Sequence, residues 1–346
     1  MNKALYPLMF DLDLHELVWG GNRLRPLKGL PFSEEDKIGE SWEVSAVPGK
    51  ESVVSNGSLK GLTLTDVIER YQDLLLGKSV LAKFEGKFPL LVKFIDASKD
   101  LSIQVHPDDQ LAKERHGCYG KTEMWYVMDV EPEGRLFCGF REPINKEEYL
   151  QRIENDTICE VLQEYAVNKG DVFFIPAGRI HAICAGTLVA EVQQSSDVTY
   201  RIYDYGRMGL DGKPRQLHTE LAVDALDMTV SASVHSLYDR RLNWPVCVTE
   251  CPYFTVKLLE LNRNFHRKLF KYDSFVVYMC LYGECTIEVL STQGYEKGVE
   301  PETKQVTLTQ GNSCLIPASV ADVMLMPNDD LEIAKLLEVY IDNKNF

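Results

Sequence analysis

Four side chains with metal-binding groups lie in three separate stretches of the chain: Gln104 with His106, Glu123, and His181. Gln104 and His106 are two positions apart in an apolar segment, and side chains at i and i+2 of a strand face the same way. Two imidazoles, a carboxylate and an amide oxygen suit zinc, with iron(II) and manganese(II) as alternatives. Because no thiolate takes part and solvent or substrate can fill an open position, the set predicts a catalytic metal.

His181 ends a pattern of turn residues, Gly-x5-Pro-x-Gly-x2-His, that begins at Gly170. Gly170 starts a tight turn before an apolar strand, and Pro176 and Gly178 shape the turn after it. The pattern matches the second signature of the cupin superfamily, in which such a turn carries a metal-binding histidine into a β-barrel. A lone histidine is more often structural, and the four donors together have an alternative interpretation as a hydrogen-bonded network in the core.

A charged and aromatic face marks the segment around Glu123. Lys121, Glu123 and Trp125 alternate along the sequence and therefore share one side of a strand. A lysine and a glutamate beside a tryptophan are unusual on a core-facing side unless they serve a site.

Composition and charge exclude several classes of protein. The 346 residues include 37 Lys and Arg against 52 Asp and Glu, which gives a net charge of −15. An acidic chain without a basic stripe repels nucleic acid and anionic membrane surfaces, and no charge-free apolar run reaches the roughly 18 residues of a membrane span. The start of the sequence has no apolar export signal, and the nine scattered cysteines are typical of reduced thiols. We therefore expect a cytoplasmic protein.

The elements that must position these residues are mainly strands. Apolar residues at helical spacing predict a helix at 64–77 and weaker ones at 146–163 and 218–227. The other segments resemble short strands with regular turn signals, which is typical of a sandwich or jelly roll. Clear examples lie at 89–95, 123–127, 171–175 and 188–193.

An internal repeat indicates two related barrels. Residues 170–181 resemble 311–322 at a shift of 141 positions, and Asp322 stands where the first copy has His181. We interpret this as two cupin-type jelly-roll barrels, with a few helices inserted in or near the first, of which only the first keeps metal chemistry. The alternative is chance similarity. The predicted domains are a catalytic one at 1–235 and a cupin-like one without metal ligands at 236–346.

Six motifs between residues 6 and 230 carry a family resemblance. They are Trp19-Gly20-Gly21, Gly39-Glu40-Ser41-Trp42-Glu43, Ser102-Ile-Gln104-Val-His106-Pro107-Asp108, Gly120-Lys121-Thr122-Glu123-Met-Trp125, Pro176-Ala-Gly178-Arg-Ile-His181-Ala182 and Ser196-Asp197-x-Thr199-Tyr-Arg201. Together they resemble type I mannose-6-phosphate isomerase (phosphomannose isomerase), and the first two are similar to its short bacterial branch. The resemblance implies a metal-dependent aldose–ketose isomerase that interconverts mannose 6-phosphate and fructose 6-phosphate.

The same resemblance assigns roles to individual residues. The family's single divalent metal, usually zinc, falls on Gln104, His106, Glu123 and His181. The active-site arginine falls on Arg201, and further pocket positions fall on Ser102, Lys93, Lys121, Glu191 and Arg207. Glutamine replaces the first histidine of the general cupin signature, and Glu123 lies seventeen positions after His106; the isomerase family shares both features. Ile183 stands where eukaryotic relatives often have an aromatic residue, which leaves the sugar contacts open.

The chemistry of such a reaction fits these residue types. A proton moves between C2 and C1 of the sugar, and a dication beside the carbonyl makes that carbon acidic enough. Glu191, on the strand predicted at 188–193, is the first candidate for the base. Lys121 is a candidate for neutralising the developing oxyanion.

Two arginines are candidates for phosphate contact. Arg201 and Arg207 lie six positions apart in an aromatic and acidic stretch, and arginine suits bidentate phosphate binding. The alternative is surface pairing with Asp197, Asp204 and Asp211.

Two other functions compete with the isomerase. One is a different cupin metalloenzyme, either an oxygenase or another sugar-phosphate isomerase, although the glutamine ligand counts against an oxygenase. The other is a non-catalytic sugar-binding cupin, which would be expected to have lost ligands in both barrels. The expected partner is a small sugar phosphate, without nucleic acid or membrane, for a monomer or homodimer.

Overall fold

The fold consists mainly of short β-strands, as predicted. The computed structural model describes residues 4–230, 234–296, 298–328 and 333–342. The strands are β1 Leu14–Gly21, β2 Ile38–Val44, β3 Ala46–Val47, β4 Lys50–Glu51, β5 Leu90–Ala97, β6 Ile103–Val105, β7 Glu123–Val130, β8 Arg135–Phe140, β9 Leu162–Ala166, β10 Val172–Ile175, β11 His181–Ile183, β12 Thr187–Gln194, β13 Tyr200–Tyr203, β14 Val246–Glu250, β15 Thr255–Leu261, β16 Phe265–Lys268, β17 Val276–Tyr282, β18 Glu284–Thr292, β19 Gln305–Thr309, β20 Ser313–Ile316, β21 Val320–Pro327 and β22 Ala334–Tyr340.

Short α-helices interrupt the strands. They are α1 Leu24–Leu27, α2 Leu64–Tyr71, α3 Asp73–Leu76, α4 Lys78–Lys83, α5 Asp109–His116, α6 Lys146–Glu154 and α7 Thr219–Ala225. The helix predicted at 64–77 is divided, because Gln72 adopts a φ of 46° and breaks α2 from α3. The pattern at 146–163 forms α6 only as far as Glu154; a 3-10 turn and β9 follow. No helix in the described part of the chain is long and apolar enough to cross a membrane.

The chain forms two compact units. The central unit contains Leu14–Ser41 and Lys93–Ser236, and the terminal unit contains Met1–Asp13, Trp42–Val92 and Leu237–Phe346. One unit boundary therefore lies next to the domain boundary predicted after residue 235, while α2, α3 and α4 belong to the terminal unit. The predicted domains concern the two barrel folds rather than compactness, so their division at 1–235 and 236–346 stays a prediction.

Two sheets of the central unit enclose a common interior. Most of a six-stranded sheet, in the order β1-β2-β5-β12-β7-β10, and a five-stranded sheet, β13-β6-β11-β8-β9, belong to this unit. Buried side chains from both sheets, among them Trp19, Trp125 and Ile183, pack into one apolar cluster. The other face of the five-stranded sheet packs against side chains of α6 and α7, including Tyr149 and Ala222. The strands therefore present alternate residues to the interior, where the predicted metal ligands His106, Glu123 and His181 are also buried.

Strand pairing in the terminal unit repeats that of the central unit. Its main sheets have the orders β14-β15-β22-β17-β20 and β16-β21-β18-β19, so β17 lies between β22 and β20 as β7 lies between β12 and β10. Val276 pairs with Ile316 as Glu123 pairs with Ile175. Valine thus stands in the terminal unit where the central unit has the candidate carboxylate ligand.

The second part of the repeat lies on the opposing sheets. Asp322 in β21 pairs with Lys268, whereas His181 in β11 pairs with Gln104. Asp322 accepts a hydrogen bond from Ser291 and contacts Nε2 of His266 at 3.0 Å. An exposed side-chain network therefore stands at the position where the central unit has buried donors.

Candidate active site

Three of the predicted metal ligands meet inside the central unit. One donor atom from each of His106, Glu123 and His181 lies within 4.8 Å of the other two, and all three residues are buried. The Nε2 atoms of His106 and His181 lie 3.2 and 3.7 Å from the two Glu123 oxygens. The amide of Gln104 lies 3.2 Å from Nε2 of His181. The four side chains predicted from separate stretches of sequence are therefore adjacent.

Hydrogen bonds on the far side of both imidazoles favour metal binding. Nδ1 of His106 lies 3.0 Å from the carbonyl oxygen of Val198, and Nδ1 of His181 lies 2.8 Å from that of Arg179. A carbonyl accepts but does not donate, so each Nδ1 carries the proton and each Nε2 keeps its lone pair. This tautomer is the one in which a histidine ligates a metal through Nε2, with its orientation held by the second nitrogen. The donor set therefore fits one divalent cation.

Lys121 places a positive charge among these donors. Its Nζ lies 2.5 Å from Oε1 of Glu123 and 3.2 Å from Nε2 of His106. Burial acts to raise the pKa of Glu123, but the charge of Lys121 outweighs burial and holds that pKa well below its usual range. Burial, then Lys121, lowers the pKa of His106 to about 3, and burial lowers that of His181. At neutral pH the centre thus offers a carboxylate and two neutral imidazoles, the protonation states that metal ligands need.

The local backbone explains how these side chains reach one point. Glu123 begins β7, where it lies opposite Ile175 at the end of β10 and Gln193 in β12. After β10 the chain turns through Gly178, whose φ is +88° and whose amide donates to the carbonyl of His106. A side chain there would be strained, and its Cβ would lie 3.0 Å from the carbonyl oxygen of Ala225. This turn sets His181 beside the other ligands, as its sequence pattern predicts.

A second buried carboxylate lies on the neighbouring strand. Glu191 in β12 is opposite Trp125 in β7, and the indole Nε1 donates to its Oε1 at 2.9 Å. Its Oε2 lies 3.4 Å from Nζ of Lys93, which also lies 3.4 Å from Glu40. Burial, then the charge of Glu123, raises the pKa of Glu191 to about 7, while Lys93 acts against this rise. A carboxylate with such a pKa can both accept and release a proton near neutral pH.

The carboxylates around Lys93 determine the pKa of its ammonium group. Burial favours its neutral form, but the charges of Glu40 and Glu191 outweigh burial and raise its pKa. Lys93 is therefore a fixed ammonium beside the candidate base.

The remaining predicted residues lie at the edge of the five-stranded sheet. Arg201 in β13 lies opposite Gln104 in β6, and Gln104 lies opposite His181 in β11. Paired residues of antiparallel strands point to the same face, so Arg201 shares the face of the metal ligands. Ser102 is buried and precedes Gln104 by two positions. Arg207 lies beyond the end of β13, where its Nη1 donates to the carbonyl of Asp100 at 2.5 Å.

Four further residues contact the predicted site residues, and neither motif nor spacing assigns a catalytic or binding role to them. Trp125 binds Glu191 and Glu40 binds Lys93, and Asp204 binds both Arg207 and Arg215. Trp125 alternates with Glu123 in the sequence, and this spacing predicts that both lie on the same face. The sequence does not predict the hydrogen bond from Trp125 to Glu191. The pairing of Arg215 with Asp204 depends on a loop that no short motif marks.

Comparison with known proteins agrees with this geometry. Residues 8–141 match the family described as phosphomannose isomerase type I, catalytic domain. The chain is 41% identical over 233 residues to the probable mannose-6-phosphate isomerase GmuF of Bacillus subtilis, which is 67% of this chain and 71% of that protein.

Solved structures extend the likeness to the whole fold. A mannose 6-phosphate isomerase from Bacillus subtilis is 30% identical with a TM-score of 0.81, over 96% of this chain and 99% of that one. A further mannose 6-phosphate isomerase, described as holo and zinc bound, has a TM-score of 0.74 at 18% identity over 97% and 99% of the two chains, and so shares the fold. By sequence and by fold, the chain belongs to the type I phosphomannose isomerase family.

Proposed function

We propose that this protein is a metal-dependent isomerase that interconverts mannose 6-phosphate and fructose 6-phosphate by proton transfer between C1 and C2. The observation that carries the proposal is the group formed by His106, Glu123 and His181, buried in a chain of this family. The buried Glu191 beside it supplies a group of suitable pKa for the proton transfer.

The proposed cofactor is one divalent ion, with zinc first. Gln104, His106, Glu123 and His181 would hold it, with the amide of Gln104 turned so that its oxygen faces the ion. A nitrogen and oxygen donor set that leaves room for substrate is typical of catalytic zinc. The bound ion would polarise the sugar carbonyl and stabilise the enediolate charge.

Glu191 is our candidate for the base. Its carboxylate takes the proton from C2 of mannose 6-phosphate and returns it to C1, while the hydroxyl proton passes from O2 to O1. The reverse reaction uses the same group. The hydrogen bond from Trp125 and the ammonium of Lys93 fix its orientation. Lys121 contributes a second positive charge, beside Glu123, against the negative charge that develops on the sugar oxygens. Such a positioned base is worth about 10²–10⁴-fold in rate.

The proposed substrate contacts lie on the same face as the ligands. Arg201 is one strand away from Gln104, so it can reach the reacting part of the sugar and is proposed as a catalytic residue. Ser102 and Arg207 are proposed to bind the substrate at the end of the sheet, with Lys93 beside Glu191. The positive charge of these side chains offsets the net charge of −15, which repels an anionic substrate.

We also propose a cytoplasmic location and a domain division at 1–235 and 236–346, with the second barrel lacking metal ligands. The expected substrate is the only partner proposed, without nucleic acid or membrane, and the protein is proposed to act as a monomer or homodimer. Size measurement in solution distinguishes those two states.

Arg201→Lys should lower kcat/KM by about 10–100-fold, because lysine keeps the charge but loses the planar fork. Steady-state kinetics with mannose 6-phosphate measures this. Arg152→Lys, in a half-buried pair with Glu148 on α6, is the matched control and should retain full activity. If Arg201→Lys retained the rate and the affinity of the native protein, Arg201 would have no part in the site.

A coupled assay tests the function itself. Purified protein should convert mannose 6-phosphate to fructose 6-phosphate, lose this activity after treatment with a chelator, and regain it on addition of zinc. Absence of turnover in zinc-loaded, folded protein would reject the proposed isomerase.

A further inference from the structure

The loop after β13 brings two arginines onto one buried carboxylate, close to a third arginine in β13. Asp204 is 4% exposed. It accepts a hydrogen bond from Nε of Arg207 at 3.2 Å, and Nη1 of Arg215 lies 3.2 Å from both of its oxygens. Arg201 lies beside them, since its Nη1 donates to the carbonyl of Gln216 at 2.8 Å. Two guanidinium groups therefore share the Asp204 carboxylate and a third lies nearby, so these four side chains together carry a charge of about +2.

The loop is folded so as to bring Arg215 back to this place. Met208 pairs with Pro214, and the amide of Gly209 donates to the carbonyl of Lys213, which closes a tight hairpin. Gly212 makes the turn with a φ of +73°. Further along, the amide of His218 donates to the carbonyl of Arg201. The hairpin thus returns the chain to β13 and sets Arg215 against Asp204.

One donor of this arginine group has no hydrogen-bond partner among the described residues. Nε of Arg201 is buried and has no hydrogen-bond partner there. Burial lowers the pKa of Arg201, and the charges of Arg215 and Arg207 lower it further. A buried donor without an acceptor destabilises a fold unless a ligand supplies the acceptor. An anion with several acceptor oxygens would relieve both the repulsion and the missing hydrogen bond.

We propose that Arg215 binds the phosphate group of the substrate. Asp204 is a positioning residue that holds Arg215 and Arg207 toward this phosphate. This inference rests on the proposed function. A phosphate monoester carries about −1.5 to −2 charges at neutral pH, which matches the charge of the cluster. Arg201, opposite Gln104, links the cluster to the metal ligands, so a sugar phosphate spans from the proposed reaction centre to the arginines.

The test is Arg215→Gln, which removes the charge and keeps most of the length. We expect KM for mannose 6-phosphate and the inhibition constant of inorganic phosphate to rise together by about 10–100-fold, with kcat changed by no more than a few-fold. Asp204→Asn should raise the same two constants, because Arg207 and Arg215 lose the carboxylate charge that holds them in place. Arg152→Gln is the control, and it should leave both constants unchanged.

A purely structural ion-pair network gives a different result. Arg215→Gln would then lower the melting temperature without changing the inhibition constant of phosphate, and the inference would be wrong. Thermal unfolding with and without inorganic phosphate distinguishes a phosphate site from a structural network. Phosphate should raise the melting temperature of the native protein more than it raises that of Arg215→Gln. If native protein bound phosphate in this way but did not isomerise mannose 6-phosphate, the proposed function would fail while the phosphate site remained.

Discussion

His181→Ala should contain no stoichiometric zinc and should lose more than about 10³-fold in kcat/KM for mannose 6-phosphate. The imidazole is buried and shares the centre with Glu123 and Gln104, so alanine removes one donor and leaves the others without their common ion. Elemental analysis of purified protein measures the metal, and the coupled assay measures the rate.

A matched control separates the site from the fold. His266→Ala removes a histidine that pairs with Asp322, the residue at the repeated position, and it should retain one zinc per chain and full turnover. Circular dichroism should show both variants folded. A His181→Ala protein that kept its zinc and its rate would remove His181 from the site.

Glu191→Gln should lower kcat by about 10²–10⁴-fold while the zinc content stays the same. Glutamine has the same shape and still accepts the hydrogen bond from Trp125, but it cannot take up a proton. As the proposed base, Glu191 is active only when its carboxyl group is ionised, and its pKa is raised to about 7. In the native protein kcat/KM should therefore rise as the pH increases through about 7. This rise should be absent from the residual activity of the variant.

Exchange of the C2 hydrogen with solvent distinguishes a base from a structural carboxylate. Exchange of the C2 hydrogen with deuterated solvent should be lost in Glu191→Gln, because no group removes it. Glu164→Gln, at an exposed position on β9, should change neither exchange nor rate. Full exchange in Glu191→Gln would assign the base to another residue.

Much of the site could be predicted because it follows from local rules. Gln104 and His106 belong to an alternating segment, and Glu123 begins another, so a face could be assigned to each. His181 follows a glycine and proline turn whose geometry requires Gly178 at positive φ. These features depend on neighbours in sequence, and the sequence therefore predicts them.

Other features depend on contacts between distant segments. The bond from Trp125 to Glu191 joins residues 66 positions apart, and it follows only from the pairing register of β7 and β12. Arg215 reaches Asp204 only because the hairpin between them closes, whereas Arg207 lies three positions from Asp204. The elevated pKa of Glu191 likewise comes from burial and from Glu123, which no pattern along β12 shows.

The helices show the same limit. Helix α5 was not predicted, because it is mostly exposed and buries only Ala112. Without an apolar face, only its cap at Asp108, which accepts from the amide of Leu111, marks its start. The break at Gln72 could not be predicted either, since glutamine rarely adopts a positive φ.

The most direct test of the central claim is anomalous diffraction at the zinc edge from crystals of the zinc-loaded protein. We expect one fully occupied peak about 2.0–2.2 Å from the donor atoms of Gln104, His106, Glu123 and His181. A peak elsewhere, or none at these four side chains, would contradict the account.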